Sequence, residues 1–208
     1  MATGRAGGSL LEQLALEQVA IWRRRLKAGD VLWRDNVTGL VYDRGKEYNP
    51  RIVALAVERW RPSAPVVYGE GDVVNLSGLN RRLTQGGADA VIAALVGYFV
   101  EETGRLGGDA AFIRKGGDEF GLTVVGVPLR QVQAAIDRAS VRVIRYLREK
   151  GLESVPHTKA GMPLGTGVRF ALVEYDPRIH ASANELRRDA ELDVEEMKLR
   201  TGPWAKKD

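Results

Sequence analysis

The sequence contains no cysteine, and only two of its 208 residues, His157 and His180, are histidines. The lack of cysteine excludes disulfides, thiolate metal sites and cysteine nucleophiles together. Because the two histidines lie far apart in the sequence, a zinc site built from imidazole is not expected. No apolar run approaches the roughly 20 residues that a membrane span needs, and the initial MATGRAGGS lacks the apolar core of a signal peptide. We therefore expect a soluble, cytoplasmic protein that does not enter a membrane.

The chain also lacks a strong charge of either sign. A formal net charge of +4 suits phosphate-bearing ligands. No stripe of lysine and arginine stands out, however, so nucleic-acid binding is not expected. The basic block WRRRLK, residues 22–27, is interpreted as a solvated helix face. A hydrophobic fraction of 44% is ordinary for a globular protein, and the length suffices for one good-sized domain with an appendage.

The N-terminal region is predicted to be that appendage. Ser9 followed by Glu12 matches a capping box, and the apolar spacing that follows predicts a helix over residues 10–28. A lone N-terminal helix with an apolar stripe often packs against a second subunit. We therefore expect residues 1–30 to form a flexible tail plus a signalling or dimerisation helix, and residues 31–208 to form the main domain.

The main domain alternates between helical and strand patterns. Helices are predicted near residues 51–60, 86–102, 129–151 and 182–202, and strands near residues 65–69, 109–127 and 165–177. The middle strand segment contains a Gly-Gly turn and is predicted to be a hairpin. Strands interleaved with helices, including one hairpin, predict an α/β (α+β) fold with a mixed central sheet that helices cover on at least one face.

The hairpin segment IRKGGDEFGLTV, residues 113–124, carries the most chemistry. We expect Gly116 and Gly117 to supply positive φ angles and to bare the backbone for a ligand. Asp118 and Glu119 follow them, and Asp72 follows the predicted strand at 65–69. Magnesium prefers carboxylate oxygens and substrate phosphates, so acids at two neighbouring strand ends predict a metal site for phosphoryl transfer. A solvated turn is the alternative that these residues alone leave open.

The sequence resembles that of GGDEF-domain diguanylate cyclases. RKGGDEF, residues 114–120, is similar to their signature, which often reads Arg-Tyr-Gly-Gly-Asp-Glu-Phe. DNVTGLVYDR, residues 35–44, resembles their opening wide turn, with one extra residue. DVVNLSGLNRRLTQGGADAV, residues 72–91, resembles their Asp-(Ile/Leu)-Asp-x-Phe-Lys-x-x-Asn block and the Asp that follows it. AELDVEEMKLRTG, residues 190–202, resembles their closing helix. The resemblance covers residues 30–205 in the family's order.

This resemblance implies the palm-like fold of nucleotide cyclases and polymerases. It also implies that two domains face each other as a homodimer, each holding one GTP. The 3′-hydroxyl of one GTP attacks the α-phosphate of the other, twice, which gives cyclic di-GMP and two pyrophosphates. The implied cofactor is Mg²⁺ or Mn²⁺, and the implied partners are GTP, a second copy of the chain and an upstream sensory partner that acts through the N-terminal helix.

Roles for the acidic residues follow from the matched motifs. By resemblance, Asp72 and Asp118 bind the metal ions through their carboxylates, and the carbonyl of Val73 assists. Glu119 helps to organise the metals or accepts the proton. The metals lower the pKa of the attacking hydroxyl and neutralise charge on the phosphate oxygens. Asp72 also fits a simpler role, as the N-cap of the following helix.

The nucleotide contacts are implied in the same way. Asn80 and Asp89 read guanine, because a carboxylate accepts hydrogen bonds from its ring N–H and amine. Lys198, together with Arg200, pairs with the β- and γ-phosphates as point charge and fork. Backbone amides of the loop at residues 75–78, which begins at Asn75, cradle the same phosphates. Asp89 also fits an ordinary surface position, and lysines such as Lys198 are common in terminal helices.

The departures from the family pattern leave two alternatives to a cyclase. Val74 stands where many members have a second Asp, Ser77 where they have Lys, and Gly202 where a phosphate-binding Arg is usual. Loss of positive contacts near the phosphates favours a catalytically impaired domain that senses GTP or a cyclic dinucleotide. A synthase of a different dinucleotide is the other alternative. The complete Gly-Gly-Asp-Glu-Phe hairpin favours the cyclase, because binding alone does not need both acids.

Overall fold

A computed structural model describes residues 9, 10, 12, 34–43, 47–60, 63–158 and 165–201. The helix predicted over residues 10–28 and the boundary near residue 30 lie almost wholly outside these residues. The predicted capping box is confirmed: the Ser9 amide donates to Glu12 Oε2 (2.7 Å), and the Glu12 amide donates to Ser9 Oγ (3.2 Å). Leu10 is fully buried, and its amide donates to Asp109 Oδ2 at 2.6 Å.

Within the described residues the chain forms five strands and five helices. The strands are β1 (Val41–Tyr42), β2 (Val66–Val74), β3 (Asp109–Arg114), β4 (Glu119–Val125) and β5 (Gly167–Glu174). The helices are α1 (Tyr48–Trp60), α2 (Leu76–Arg82), α3 (Gln85–Gly104), α4 (Leu129–Glu149) and α5 (Ala183–Thr201).

The five strands form one sheet in the order β1-β3-β4-β2-β5. β1 pairs parallel with β3, and the other neighbouring strands pair antiparallel. The predicted mixed sheet and the predicted β3–β4 hairpin are therefore confirmed. β2 lies inside the sheet and is flanked by β4 and β5, so whatever stands at its end is held by two neighbours.

Helices cover both faces of the sheet. α3 and α4 pack on one face, around a core that includes Leu95, Phe99, Phe112, Phe120, Leu122, Ile136, Val143 and Phe170. α1 and α5 pack on the other, around Val41, Ile52, Ala56, Val66, Tyr68, Ile113, Leu186 and Ala190. None of the helices in the described ranges combines the length and the apolar character needed to cross a membrane.

Strand β2 is longer than predicted, and it contains two glycines whose role the structure explains. The sequence GEGD, residues 69–72, has the composition of a turn, but the strand continues through it to Val74. A Cβ at Gly69 or Gly71 would lie 2.5 Å or 2.6 Å from the ring of Phe170, which belongs to the neighbouring β5. The glycines therefore make room for an aromatic side chain on the α3–α4 face, and the strand carries Asp72 to its far end.

Two further expectations differ from the structure. Gly116 and Gly117 do not have the positive φ angles predicted for the turn. The loop closes instead through the amides of Lys115 and Gly116, which both donate to the carbonyl of Glu119 (2.8 and 3.3 Å). The short helix α2 was also not predicted. It follows Asn75, whose left-handed backbone (φ 60°) turns the chain out of β2.

Candidate active site at the hairpin and the end of strand β2

The end of β2 and the tip of the β3–β4 hairpin lie side by side. Asp72 is the strand partner of Glu119, and the amide of Val73 donates to the carbonyl of Asp118 at 2.8 Å. The acidic residues of two motifs distant in sequence therefore meet at one edge of the sheet. This confirms the expected placement of Asp72 and Asp118 at neighbouring strand ends, while their metal-binding role stays a prediction.

Arg114 fixes the hairpin tip. Its guanidinium donates to the carbonyls of Gly116 (3.0 Å) and Gly117 (2.6 Å), and its Nη1 pairs with Asp35 Oδ2 at 2.7 Å. Burial by itself raises the pKa of the Asp35 carboxyl, but hydrogen bonds from Thr38 and Arg114 outweigh it and bring that pKa below its usual value. The pair is thus charged, and it ties the turn at residues 35–40 to the hairpin.

Asp72 is a buried carboxylate with several charged neighbours. Burial raises the pKa of Asp72, Lys198 opposes that rise, and the nearby carboxylate of Asp118 adds to it, so that the pKa is raised overall. Lys198 Nζ lies 3.7 Å from Asp72 Oδ1, and Arg169 Nη1 lies 3.4 Å from Asp72 Oδ2. Lys198 also donates to Glu195 Oε1 at 2.9 Å. The cations present therefore do not fully compensate the charge of Asp72.

A polar cavity of about 340 Å³ opens beside Asp72, between the hairpin, the start of α1 and helix α5. Its walls carry both signs of charge, with Glu70, Asp72, Lys115, Glu119, Arg187, Glu191, Glu195 and Lys198 among the lining residues. Of these, the sequence predicted Asp72, Glu119 and Lys198. The others come together only through the pairing of β2 with β4 and the packing of α5 on the sheet.

Lys115 is the main residue that sequence reasoning missed. Its ammonium bonds to Glu70 and lies 3.4 Å from Glu191 Oε1. Glu70 in turn accepts from the hydroxyl of Tyr68, which accepts from Asn49 Nδ2 at 2.8 Å. Burial raises the pKa of Glu70, against the opposing charge of Lys115. A usable signal existed for Glu70. It alternates with Tyr68 and Asp72 along β2, and this alternation places all three side chains on one face of the strand.

Asn75, the first residue of the predicted phosphate-binding loop, has a side chain that is hydrogen-bonded within the protein. Its Nδ2 donates to the carbonyls of Val155 (3.2 Å), Pro156 (3.3 Å) and Gly165 (2.9 Å). Its Oδ1 accepts from the amide of Gly78 at 3.1 Å, which caps α2. The side chain of Asn75 is thus engaged within the protein and is not available to a phosphate.

Asn80 and Asp89, the residues predicted to read guanine, lie apart from the cavity. Asn80 is exposed in α2, and Asp89 is half-buried in the first turns of α3; neither belongs to the described cavity wall. Ser77 is exposed, and its hydroxyl lies 2.7 Å from that of Thr158. Arg200 belongs to α5, but its side chain lies outside the described residues. The guanine-reading and phosphate roles therefore stay predictions.

The donor set suits a hard divalent cation. Asp72, Asp118 and Glu119 offer carboxylate oxygens: burial raises the pKa of Asp72, and the neighbouring charges of Asp118 and Glu119 add to that rise. Mg²⁺ is usually held by one or two carboxylates plus substrate phosphates. Among the described residues, no group of three or more acidic or histidine side chains is already arranged to hold an ion. Asp72, Asp118 and Glu119 would supply only part of a coordination shell, and a phosphate ligand would have to supply the rest.

Comparison with known proteins identifies the fold. No protein-family model matches the chain, and no curated protein matches it. Among solved structures, the GGDEF domain of DgcB from Caulobacter crescentus, in complex with c-di-GMP, matches with a TM-score of 0.63 at 16% identity, covering 86% of this chain and 94% of that one. The FimX GGDEF domain from Pseudomonas aeruginosa matches with a TM-score of 0.58 at 18% identity, covering 81% and 95%.

A third match has a stated activity of its own. The active GGEEF domain of a diguanylate cyclase from Vibrio cholerae has a TM-score of 0.57 at 14% identity, covering 77% of this chain and 93% of that domain. All three matches cover most of both chains. The chain therefore has the fold of the GGDEF domains, as its hairpin motif predicted.

Proposed function

We propose that this chain is a diguanylate cyclase of the GGDEF family, which condenses two GTP molecules into cyclic di-GMP and releases pyrophosphate. One observation carries the proposal. Asp72 lies beside the hairpin acids Asp118 and Glu119, at a cavity that also contains the cation Lys198. Clustered carboxylates with a neighbouring cation are the groups that position and stabilise a transferring phosphoryl group. Because one domain holds one GTP, the proposed active unit is a homodimer.

The two glycines of the hairpin support a ligand at this surface. A Cβ at Gly116 would lie 3.4 Å from its nearest neighbour, Glu119 Oε2, and one at Gly117 would lie 3.9 Å from Leu76 Cδ2. Both are ordinary van der Waals contacts, and neither glycine has a positive φ. The protein's own packing therefore does not require glycine at either position. A nucleotide lying against the bare hairpin backbone would require it.

The proposed roles divide between metal and substrate. Asp72 and Asp118, with the Val73 carbonyl, hold the divalent cation, which when bound neutralises charge on the phosphate oxygens and acidifies the 3′-hydroxyl. Glu119 helps to hold the cation or takes the proton of that hydroxyl. Lys198, which lies in α5, stabilises the negative charge of the β- and γ-phosphates. In this proposal Arg200 assists Lys198, the amides that follow Asn75 contact phosphate, and Asn80 and Asp89 read guanine.

Product analysis tests the cyclase directly. Purified protein is incubated with GTP and Mg²⁺ or Mn²⁺, and the products are separated by chromatography and identified by mass. We expect cyclic di-GMP from the natural chain and at least a roughly hundredfold loss in Asp118→Asn, because removal of one charge-stabilising group costs that much. Asp137→Asn, an exposed acid on α4, is the matched control and keeps full activity. Equal activity in Asp118→Asn and the natural chain would refute the assignment.

A GTP or cyclic-dinucleotide sensor is the second candidate, and the surroundings of Asp72 favour it. Arg169 and Lys198 both approach the Asp72 carboxylate, so part of its charge is already balanced by the protein. Ser77, at the position where the family has a lysine, brings a neutral hydroxyl to the loop, and this hydroxyl contacts Thr158. If GTP raises the thermal stability of the protein but no product forms with either metal, the sensor replaces the cyclase.

A further inference from the structure

Glu191 of α5 lies between two cations of the cavity. Its Oε1 accepts from Arg187 Nη2 at 3.2 Å and lies 3.4 Å from Lys115 Nζ. Arg187 comes from one turn earlier in the same helix, whereas Lys115 comes from the hairpin. The side chains of Lys115 and Arg187 are 15% and 19% exposed, while that of Glu191 is 44% exposed. The two cations are thus held inside the cavity, and the anion that joins them reaches solvent.

The contact with Glu191 leaves one hydrogen-bond donor of the Arg187 guanidinium unused. Its Nε is buried and, within the described part of the chain, has no hydrogen-bond partner. The neighbouring Nη2 donates to Glu191 at 3.2 Å. The Nε and Nη2 protons of an arginine form a fork that matches two oxygens of one phosphate or carboxylate. Glu191 uses one prong of this fork, so a second anion could satisfy both.

The position of the fork suits the phosphate chain of a nucleotide. Arg187, Lys115, Lys198 and Asp72 line the same cavity. Lys198 by itself is a weak match for a triphosphate, because it is shared with Asp72 and Glu195. Glu70 is buried and paired with Lys115, so Lys115 stays in place if Glu191 leaves. Two further cations are therefore available to the phosphates once their common partner moves towards solvent.

We propose that Arg187 and Lys115 bind the terminal phosphates of the nucleotide, and that Glu191 is their resident counter-ion, which the phosphate displaces. The proposal rests on the proposed function, since it places a nucleoside triphosphate in this cavity. Arg187 then binds phosphate as a fork through Nε and Nη2, and Lys115 binds it as a point charge. Glu191 lowers the affinity for triphosphate, because its displacement from the two cations costs part of the binding energy.

Nucleotide affinity measured by calorimetry tests this inference, with GTP and GMP as probes in the presence of Mg²⁺. The GTP is used in its 3′-deoxy form, which lacks the attacking hydroxyl and is not turned over during the titration. GMP lacks the terminal phosphates, so its affinity reports the rest of the site. We expect Arg187→Ala to weaken GTP binding about tenfold or more, as the loss of a charge-assisted fork does, and to leave GMP binding unchanged. Glu191→Gln should tighten GTP binding several-fold and leave GMP unchanged. Arg188→Ala, an exposed neighbour on α5, changes neither affinity.

The two variants of opposite sign keep the test decisive. If Arg187→Ala fails to fold, the sign of the Glu191→Gln effect decides alone, since a structural network predicts weaker or unchanged GTP binding. Equal changes in the GTP and GMP affinities would overturn the phosphate role of Arg187 and leave the cyclase proposal standing. Absence of GTP binding to the natural chain would overturn both.

Discussion

At the scale of single residues, Asp72 illustrates how burial and function oppose each other. Burial raises the pKa of Asp72 above its ordinary 3.8, the charge of Lys198 opposes the rise, and Asp118 adds to it. The folded state therefore binds this proton more tightly than the unfolded chain does. The stabilisation is complete below the unfolded pKa and is lost as the pH rises through the higher folded pKa. At neutral pH the ionised Asp72 thus destabilises the fold.

The first prediction follows from that sign. We expect Asp72→Asn to unfold at a higher temperature than the natural chain at pH 7, because it removes a buried charge while Lys198 keeps its bond to Glu195. The advantage should shrink as the pH falls through the raised pKa of Asp72 and should be lost below 3.8, where Asp72 is protonated in both the folded and the unfolded state. Thermal unfolding at a series of pH values measures the difference, with Asp137→Asn as the exposed control. A lower melting temperature for Asp72→Asn at pH 7 would show that its ion pairs outweigh its burial.

Asn75 supplies a second prediction at this scale. Its Nδ2 donates to the carbonyls of Val155, Pro156 and Gly165, its Oδ1 caps α2, and its backbone is left-handed. Asn75→Ala should lower the free energy of unfolding by about 3 kcal/mol, because a cap and buried bonds are lost together. Asn75→Gly should recover about 1 kcal/mol, since glycine adopts positive φ without strain. Urea denaturation measures both, and equal stability of the two variants would contradict a backbone contribution.

At the scale of elements, the hairpin depends on one arginine. Arg114 bonds in three directions, to Gly116, Gly117 and Asp35, and both members of its ion pair are about nine-tenths buried. Lysine keeps the charge but places all its donors on one nitrogen, so it cannot replace this fork. We expect Arg114→Lys to lower the free energy of unfolding by about 2 kcal/mol.

The matched control for Arg114→Lys is Arg178→Lys. Arg178 pairs with Asp176 at 2.7 Å, but its side chain is 87% exposed. Denaturant unfolding of both variants compares a buried pair with a solvated one, and we expect no measurable loss for Arg178→Lys. Equal effects of the two substitutions would show that the hairpin does not depend on the Arg114 fork.

The elements also show where sequence reasoning succeeds. Helix α4 (Leu129–Glu149) and the hairpin strands were predicted because their apolar residues keep a clear period and their ends carry Gly or Pro. The predicted strand ended at Gly69, short of the end of β2 at Val74, because the partner of Gly69 and Gly71, the ring of Phe170, lies about a hundred residues away in sequence. Patterns within one segment report local geometry, whereas space shared with a distant strand is not visible in them.

The same difference between local patterns and distant contacts separates the residues of the candidate site that were predicted from those that were missed. Asp72, Asp118 and Glu119 were found from motifs, because their spacing to glycines and strands is local. The contacts of Lys115 with Glu70 and Glu191 were not found, since a charged residue in a strand or helix usually indicates a solvated face. Only the pairing of β2 with β4 and the packing of α5 turn these charges inward. Of the charged residues that line the cavity, the sequence thus predicted Asp72, Glu119 and Lys198 and missed the other acids and cations.

At the scale of the whole molecule, the proposed chemistry requires two copies of the chain. Each domain has one Asp72–Asp118 edge and so, in the proposal, activates one GTP. Cyclic di-GMP needs two phosphodiester bonds, and each bond needs an intact site on one of two facing domains. A dimer with one inactive domain can then form one bond but cannot close the ring. Formation of cyclic di-GMP therefore reports dimers in which both sites are intact.

A mixing experiment follows from this requirement. Natural protein and Asp118→Asn are combined in equal amounts at constant total concentration, allowed to exchange subunits, and supplied with saturating GTP. Random pairing leaves about one quarter of the dimers with two intact sites, so the rate of cyclic di-GMP formation should fall to about one quarter of that of the natural chain. A linear dinucleotide should accumulate from the mixed dimers. A fall to one half, with no linear product, would instead indicate that each chain completes the reaction alone.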